Sequence, residues 1–317
     1  MPRRAIVPRL RATELELEHV ACDLCGADAT RERYKKPDTG QWTSDYEFPV
    51  VECLRCGLVY VNPRPTPAGM APFYANDYHG GRADEVHQRR YARQERYLPP
   101  LTNQSILDVG CARGDFLAFL LARHPGLRAV GCDAYSPGVA DPRIEFHARA
   151  LPDCGLPEAS FDLVTSWAVF EHLHAPSRSF AEVARVLKPG GRFVFLVTNA
   201  ESLWSSRAFG EDVPRHTYHY SHRSLRAYAE KHGLGVRRLV CDDRLFDGRG
   251  KGTFRWKLLR ATGVGFAADS ARDLRPGQRL ARTAGKLVDG LVFALSWEAW
   301  LGRSGMLIAE FEKPEHA

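Results

Sequence analysis

From residue 105 onward the chain alternates short apolar runs with segments of helical period. Apolar runs at 105–109, 128–132, 144–147, 161–166, 192–197, 236–241 and 306–311 predict seven strands. The run at 192–197 is almost wholly apolar, as expected of a strand buried on both faces. Phe116, Leu117, Leu120 and Leu121 fall at helical spacing and predict a helix over 115–123. Further helices are predicted over 176–187, ended by Pro189-Gly190-Gly191, and over 221–232, ended by Gly233. Strands alternating with helices imply right-handed crossovers and an α/β, Rossmann-like, doubly wound, mostly parallel sheet. Pro137 and Pro142 shorten the stretch after Asp133, so the second helix is expected to shrink to a turn.

The flanks read differently. Residues 1–20 form a tail ending in a short strand through Leu15 and Leu17, and 21–62 form a small cysteine-bearing unit. Residues 63–100 form a connector: Pro63, Pro65 and Pro67 break structure, a polar helix spans 84–97, and Pro99-Pro100 closes it. The sheet domain occupies 101–317, with a helical insertion at about 243–303. Within it Leu280, Ala284, Leu287, Val288, Leu291, Val292 and Leu295 form one stripe of a helix. The stripe is read either as packed on the domain or as a surface for a membrane or a partner. No internal repeat or low-complexity segment is present.

Composition narrows the class. Of 317 residues, 44% are hydrophobic and 26% charged, which argues for a folded chain and against wholesale disorder. No apolar run reaches the roughly 18 residues of a membrane-spanning helix. No secretory signal is recognised, so a cytoplasmic location with reduced cysteines is expected. The formal charge of +6 is uneven. Arg3, Arg4, Arg9 and Arg11 cluster near the start, and Arg249, Lys251, Arg255, Lys257 and Arg260 cluster over 249–260 without an acid. The second cluster, with the 280–301 helix, offers a peripheral contact for an anionic substrate or membrane surface.

Four of the eight cysteines form two pairs, Cys22-Asp-Leu-Cys25-Gly26 and Cys53-Leu-Arg-Cys56-Gly57, 27 residues apart. Each is a zinc-knuckle pattern in which two thiolates reach one tetrahedral ion, and the glycines allow close backbone approach. Four thiolates leave no position for water, so the expected zinc is structural. The gap is longer than the roughly 15–20 residues of the commonest pattern, but a hairpin between knuckles tolerates insertion. A redox dithiol and disulfides are the competing readings; redox motifs come singly, whereas this one is paired. Basic residues between the pairs are offset by Glu32, Asp38, Asp45, Glu47 and Glu52, so nucleic acid is not the expected partner. Cys111, Cys132, Cys154 and Cys241 read as small core residues.

The segment Ile106-Leu-Asp108-Val-Gly110-Cys111-Ala-Arg-Gly114-Asp115 carries the main chemistry. A strand delivers the chain to a tight turn whose glycines let a ligand approach the backbone. Asp133 ends the next strand, where this fold places an acid against ribose hydroxyls. A dinucleotide or S-adenosylmethionine would fit such a frame. Ala112 and Asp115 stand where the dinucleotide pattern wants glycines, and Asp115 would repel a pyrophosphate.

Asp108-x-Gly110-x-x-x-Gly114 followed by Asp133 resembles the first motifs of class I S-adenosylmethionine-dependent methyltransferases. Phe161-Asp-Leu-Val164, Phe170-Glu-His-Leu173 and Arg185-Val-Leu-Lys-Pro-Gly-Gly191 are similar to later motifs, in order. The cysteine pairs with Cys56-Gly-Leu-Val-Tyr-Val-Asn-Pro-Arg-Pro65 resemble the zinc-ribbon subgroup, many of which methylate sugars or natural products. The resemblance implies a seven-stranded methyltransferase sheet preceded by a small zinc ribbon. It implies that Asp108, Gly110, Cys111 and Gly114 surround the methionine part of S-adenosylmethionine and that Asp133 holds its ribose. The family's middle glycine is Ala112 here. The acid used near the adenine falls around Ala150, with Asp153 as its substitute. His216, in a His-x-x-x-aromatic-Ser stretch that borders the acceptor in the subgroup, is the first candidate base, with His172 second and Glu171 beside it.

Methyl transfer to a hydroxyl or carbon of a sugar, glycan or other small molecule is therefore expected. A nucleic-acid methyltransferase is the alternative enzyme, but Ser166-Trp-Ala-Val follows strand four where an Asn/Asp-Pro-Pro-Tyr motif would stand. A zinc-ribbon adaptor with a vestigial cofactor pocket is the non-enzymatic alternative.

Overall fold

The computed structural model describes residues 9–38, 41, 43–74, 85–136, 138–202, 212–246, 253–264, 274–292, 294 and 297–315. Arg3, Arg4, Pro137, Arg249, Lys251, Leu295 and the expected helix start at residue 84 lie outside them. In chain order the strands of the N-terminal part are β1 (Leu17–Glu18), β2 (Thr30–Lys36), β3 (Phe48–Cys53), β4 (Val59–Val61) and β5 (Arg64–Pro65). There follow α1 (Glu85–Glu95), β6 (Ser105–Val109), α2 (Asp115–Arg123), β7 (Arg128–Cys132), β8 (Ile144–His147), β9 (Phe161–Trp167), α3 (Pro176–Val186) and β10 (Leu187–Thr198). Then come β11 (Tyr218–His219), α4 (His222–Lys231), β12 (Gly235–Cys241), α5 (Thr253–Ala261), α6 (Pro276–Val292), α7 (Trp297–Trp300) and β13 (Met306–Glu312).

Two compact units divide these elements. One takes residues 79–198, 220–248 and 306–317. It holds a seven-stranded sheet in the order β12-β13-β10-β9-β6-β7-β8. The five strands from β10 to β8 are parallel neighbours, and β13 runs antiparallel to both β10 and β12. All seven expected strands are present. β10 starts five residues earlier than its apolar run, because Leu187 already pairs with Phe161 before the register jumps to Arg192 and Leu163. Glycine is required in that bulge: a Cβ on Gly191 would lie 2.8 Å from the Lys188 carbonyl oxygen. Phe170, Phe180, Phe193, Phe195 and Phe311 pack ring against ring on one side of the sheet. Ile106, Phe116, Leu117, Leu120 and Leu163 are among the residues of a second apolar cluster.

The other unit takes residues 1–78, 199–219 and 249–305. Its four-stranded antiparallel sheet runs β11-β4-β3-β2. The tail is tied down: β1 pairs with β5, and the Arg64 guanidinium meets Glu18 at 2.8 Å. β11 is absent from the sequence reading, since a two-residue strand leaves no periodicity to detect. Its pairing of Tyr218 with Tyr60 and His219 with Val59 fixes the whole 212–219 segment on the ribbon strands. Arg215 anchors that segment. Its guanidinium, fully buried, donates to Asp38 at 2.8 Å, to Asp212, and to the Phe73 carbonyl at 3.0 Å.

A buried ion cluster of this kind is strongly destabilised when one partner is removed, because a charge is left uncompensated. Arg215→Ala is expected to lower the unfolding free energy of this unit by about 3–5 kcal/mol. Arg215→Lys should recover part of it, keeping the charge and losing the planar fork. Urea denaturation of both variants checks this, and an Arg215→Ala loss within experimental error would refute the anchoring role.

Candidate active site and metal centre

The four paired cysteines converge. Their Sγ atoms lie within 4.8 Å of one another, with Cys22 to Cys56 at 3.4 Å and Cys25 to Cys53 at 3.6 Å. Thiolates tetrahedral about an ion at about 2.3 Å stand about 3.8 Å apart, so the set fits such an ion. Two equivalent turns build it. The Gly26 N–H donates to the Cys22 carbonyl at 2.7 Å, and the Gly57 N–H donates to the Cys53 carbonyl at 2.9 Å. Both glycines have left-handed φ, +74° and +81°. The long gap between the pairs is taken up by the antiparallel β2–β3 hairpin.

In the sheet unit, Asp108 ends β6 and Asp133 follows β7, the neighbouring parallel strand. The turn between β6 and α2 is clamped onto the end of β7. The N–H groups of Gly110 and Cys111 donate to the Cys132 carbonyl at 2.8 and 3.2 Å. Asp133 completes the clamp, accepting from Ala112 N–H at 2.9 Å and from Tyr135 N–H at 2.8 Å. Gly110 and Gly114 have φ of +72° and +75°, and a Cβ on either would lie within 2.6 Å of Val169 or Val139 carbons. Ala112 also sits left-handed, at φ +49°, a conformation that costs an L-residue roughly 1–2 kcal/mol. The missing middle glycine therefore leaves the turn's shape intact.

Asp108 is buried and accepts a hydrogen bond from the Thr165 hydroxyl at 2.7 Å. Burial pushes its carboxyl up from 3.8 to about 7, with the Thr165 bond opposing the rise and the Asp133 charge adding to it. Two acids at adjacent strand ends, with Asp115 in the first turn of α2, form an environment for a cationic ligand and repel a pyrophosphate. The Cys111 side chain, by contrast, packs in the apolar cluster with Phe116 and Leu117, its thiol donating to the Ala112 carbonyl at 3.8 Å. Asp153 is exposed and lies 3.7 Å from Arg178. Cys132 and Cys241 are buried as expected; Cys154 is only half-buried, its thiol donating to the Ala150 carbonyl at 3.3 Å. Thr165 escaped the sequence reading, although a Thr-Ser pair closing an apolar strand was a visible signal.

Glu171 and His172 lie in a single turn, Phe170–His172, after β9. Glu171 is fully buried, and the Tyr220 hydroxyl holds the turn by donating to the Phe170 carbonyl at 3.1 Å. His216 belongs to the other unit. It is buried, its N–H donates to the Asp212 carbonyl at 2.8 Å, and its ring centre is 6.5 Å from that of His219. Burial, with the charges of Lys36 and Arg33, depresses His219 to about 3, so it is neutral near pH 7. Burial raises the Tyr218 phenol, which accepts from Arg64.

Comparison with known proteins agrees with this geometry. Residues 83–239 match the family described as a methyltransferase domain. A probable S-adenosylmethionine-dependent methyltransferase of Mycolicibacterium smegmatis is 31% identical over 153 residues, 47% of this chain and 55% of that protein. A malonyl-[acyl-carrier protein] O-methyltransferase of Herminiimonas arsenicoxydans is 33% identical over 136 residues, 41% of this chain and 50% of that protein. The chain thus spans about half the length of the curated relatives it matches. Among solved structures, a chain of the complex between the Haloferax volcanii Trm112 methyltransferase activator and the putative methyltransferase shares the fold. It has a TM-score of 0.50 and 18% identity, over 78% of this chain and 97% of that one. The sheet order, the glycine turn with its two acids and the matched segment together identify residues 83–239 as a class I S-adenosylmethionine-dependent methyltransferase domain.

Proposed function

We propose that the protein transfers a methyl group from S-adenosylmethionine to a hydroxyl or activated carbon of a small molecule, a sugar or natural product being the favoured class. The observation that carries this is the acid-flanked left-handed turn, Asp108, Gly110, Gly114 and Asp133, built on adjacent parallel strand ends. The turn's backbone and Asp108 would hold the methionine part, and Asp133 the ribose; Asp153 is assigned to the adenine side. When bound, the cofactor supplies an electrophilic methyl on a sulfonium. The chain's own task is then alignment of the acceptor and removal of its proton. The small-molecule acceptor is supported by relatives whose names include demethylmenaquinone and ubiquinone biosynthesis methyltransferases.

His216 is assigned as the base, with His172, next to Glu171, as the second candidate. Of the other ionisable side chains in the 216–219 segment, His219 is too acidic to hold a proton near pH 7, and Tyr218 holds its own too tightly. Cys22, Cys25, Cys53 and Cys56 are assigned to one structural zinc ion.

Three measurements test these assignments. His216→Ala should lower turnover roughly 10²–10⁴-fold with unchanged cofactor affinity. Full turnover there, with loss in His172→Ala, moves the base to His172; full turnover in both leaves no histidine base.

The second test uses pH. A carboxyl raised on folding stabilises the cofactor-free fold fully below its ordinary pKa and ceases to do so as pH rises through its folded value. For Asp108 that window runs from 3.8 to about 7. A cationic ligand favours the ionised form, so its binding should release a proton and tighten from about pH 6 to about pH 8. Calorimetry in buffers of different ionisation enthalpy reads the proton, and Asp108→Asn should abolish the pH dependence. No proton release in the unaltered protein would remove Asp108 from the cofactor site.

The third is elemental analysis, which should find one zinc per chain. Cys53→Ser should lose it and expose 21–62 to protease while cofactor binding persists, because structural zinc energy is local folding energy. Zinc-free protein whose 21–62 segment resists protease would exclude the metal.

A further inference from the structure

The helices α5 and α6 pack closely within their unit. A Cβ on Gly285 would lie 2.3 Å from the Arg255 Cα, so the two backbones nearly touch there. Asp289, one helical turn further along, accepts from the N–H groups of Phe254 and Arg255 at 2.8 and 3.2 Å and caps α5. These contacts fix which face of α6 is inward. At 100° per residue, Leu280, Leu287 and Leu291 fall within about 20° of one line, well over 100° from Gly285 and Asp289. The three leucines therefore lie off the packing face, 72%, 66% and 79% exposed, while Ala284, Val288 and Val292 of the same stripe are half-buried. Trp300 and Leu301, just beyond, are 86% and 63% exposed.

The exposed charge carried by these two helices has one sign. Arg255, Lys257 and Arg260 lie on α5, Arg275 precedes α6, and Arg279, Arg282 and Lys286 lie on it. Arg279, Arg282 and Lys286 form a band between the inward face and the leucines. The only acid on either helix is Asp289, which is buried as the cap; Glu298 of α7 is buried too. A face of exposed leucine with a cationic band along one side opposes a second copy of itself, by like-charge repulsion. It complements an anionic bilayer, where leucine enters the acyl boundary, tryptophan favours the interface and basic side chains reach the headgroups. The helix of 17 residues is about 25 Å long. No helix among the described residues is long and apolar enough to cross a membrane. Lying in the interface is the geometry that remains for it.

We propose that the exposed leucine face of α6, with its cationic flank and Trp300, docks the protein on an anionic lipid surface. The full chain is sedimented with vesicles of phosphatidylcholine alone or containing about one-third phosphatidylglycerol, while tryptophan emission is followed. Binding to the anionic vesicles only, with a blue shift that Trp300→Phe removes, is expected. Leu287→Gln with Leu291→Gln should abolish both, at exposed positions where the melting temperature stays unchanged. Arg282→Gln and Lys286→Gln should each weaken binding roughly 5-fold, and raised salt should weaken it further. Failure of the anionic vesicles to bind, or binding indifferent to the leucine changes, overturns the proposal. So does a concentration-dependent dimer that the leucine changes dissolve and vesicles do not bind. Cofactor calorimetry on the same variants should be unaffected, so this proposal and the methyl-transfer reading fail separately.

Discussion

The cofactor end of the sheet depends on one carboxylate. Asp133 accepts from two backbone N–H groups on different segments, Ala112 in the turn after β6 and Tyr135 after β7. Each is a charge-assisted bond, about twice as strong as a neutral one. Without it, the left-handed turn would rest on the bonds from Gly110 and Cys111 to the Cys132 carbonyl. The same carboxylate stands near Asp108 and helps to hold that buried acid near neutrality. One residue thus shapes the turn and adds to the rise that burial gives Asp108. The strain at Ala112 is tolerated because its N–H is tied down at the point where the φ is unfavourable.

The other unit solves a different problem. Its apolar cluster around Phe48, Val50, Val61 and Phe73 is joined by buried charged groups that carry part of its cohesion. Arg215 joins Asp38, Asp212 and the Phe73 carbonyl, while Arg64 joins Glu18 and Tyr218. These are long-range contacts, and Arg215 to Asp38 spans 177 residues of sequence. They draw 212–219 onto strands folded from the N-terminal part. The buried Lys36 shows the balance: desolvation lowers it to about 8, against the opposing pull of Asp212 and Asp38.

What was legible in the sequence follows from these two styles of construction. The parallel strands announce themselves by apolar runs, and the glycine turn by the distances from Asp108 to Gly114 and Asp133. The cysteine pairs carry their geometry in their spacing, and the tolerated gap between them is a hairpin. The Arg215 cluster carries no such signal, because its partners are far apart in sequence and each resembles an ordinary surface charge. β11 has two residues and no period. The early start of β10 was hidden by Pro189-Gly190-Gly191, which reads as a loop but is a bulge. Cys111 reads both as part of the motif and as a small core residue, and its thiol packs in the apolar cluster.

Charge also explains why two readings of the α6 stripe stood open in the sequence. A stripe of leucines at helical spacing describes an inward face and an outward one equally well. The decision lies in residues that periodicity ignores. Gly285 permits the backbone of α5 to approach, and Asp289 caps that helix, so the inward face is the one carrying the glycine and the acid. Once the single acid is committed inward, every charge left on the outer surface of α5 and α6 is positive. The helical pair with the exposed leucines thus carries six basic residues against one buried acid. Packing and charge, each inconclusive alone, together turn an amphipathic pattern into a surface with a defined chemical complement.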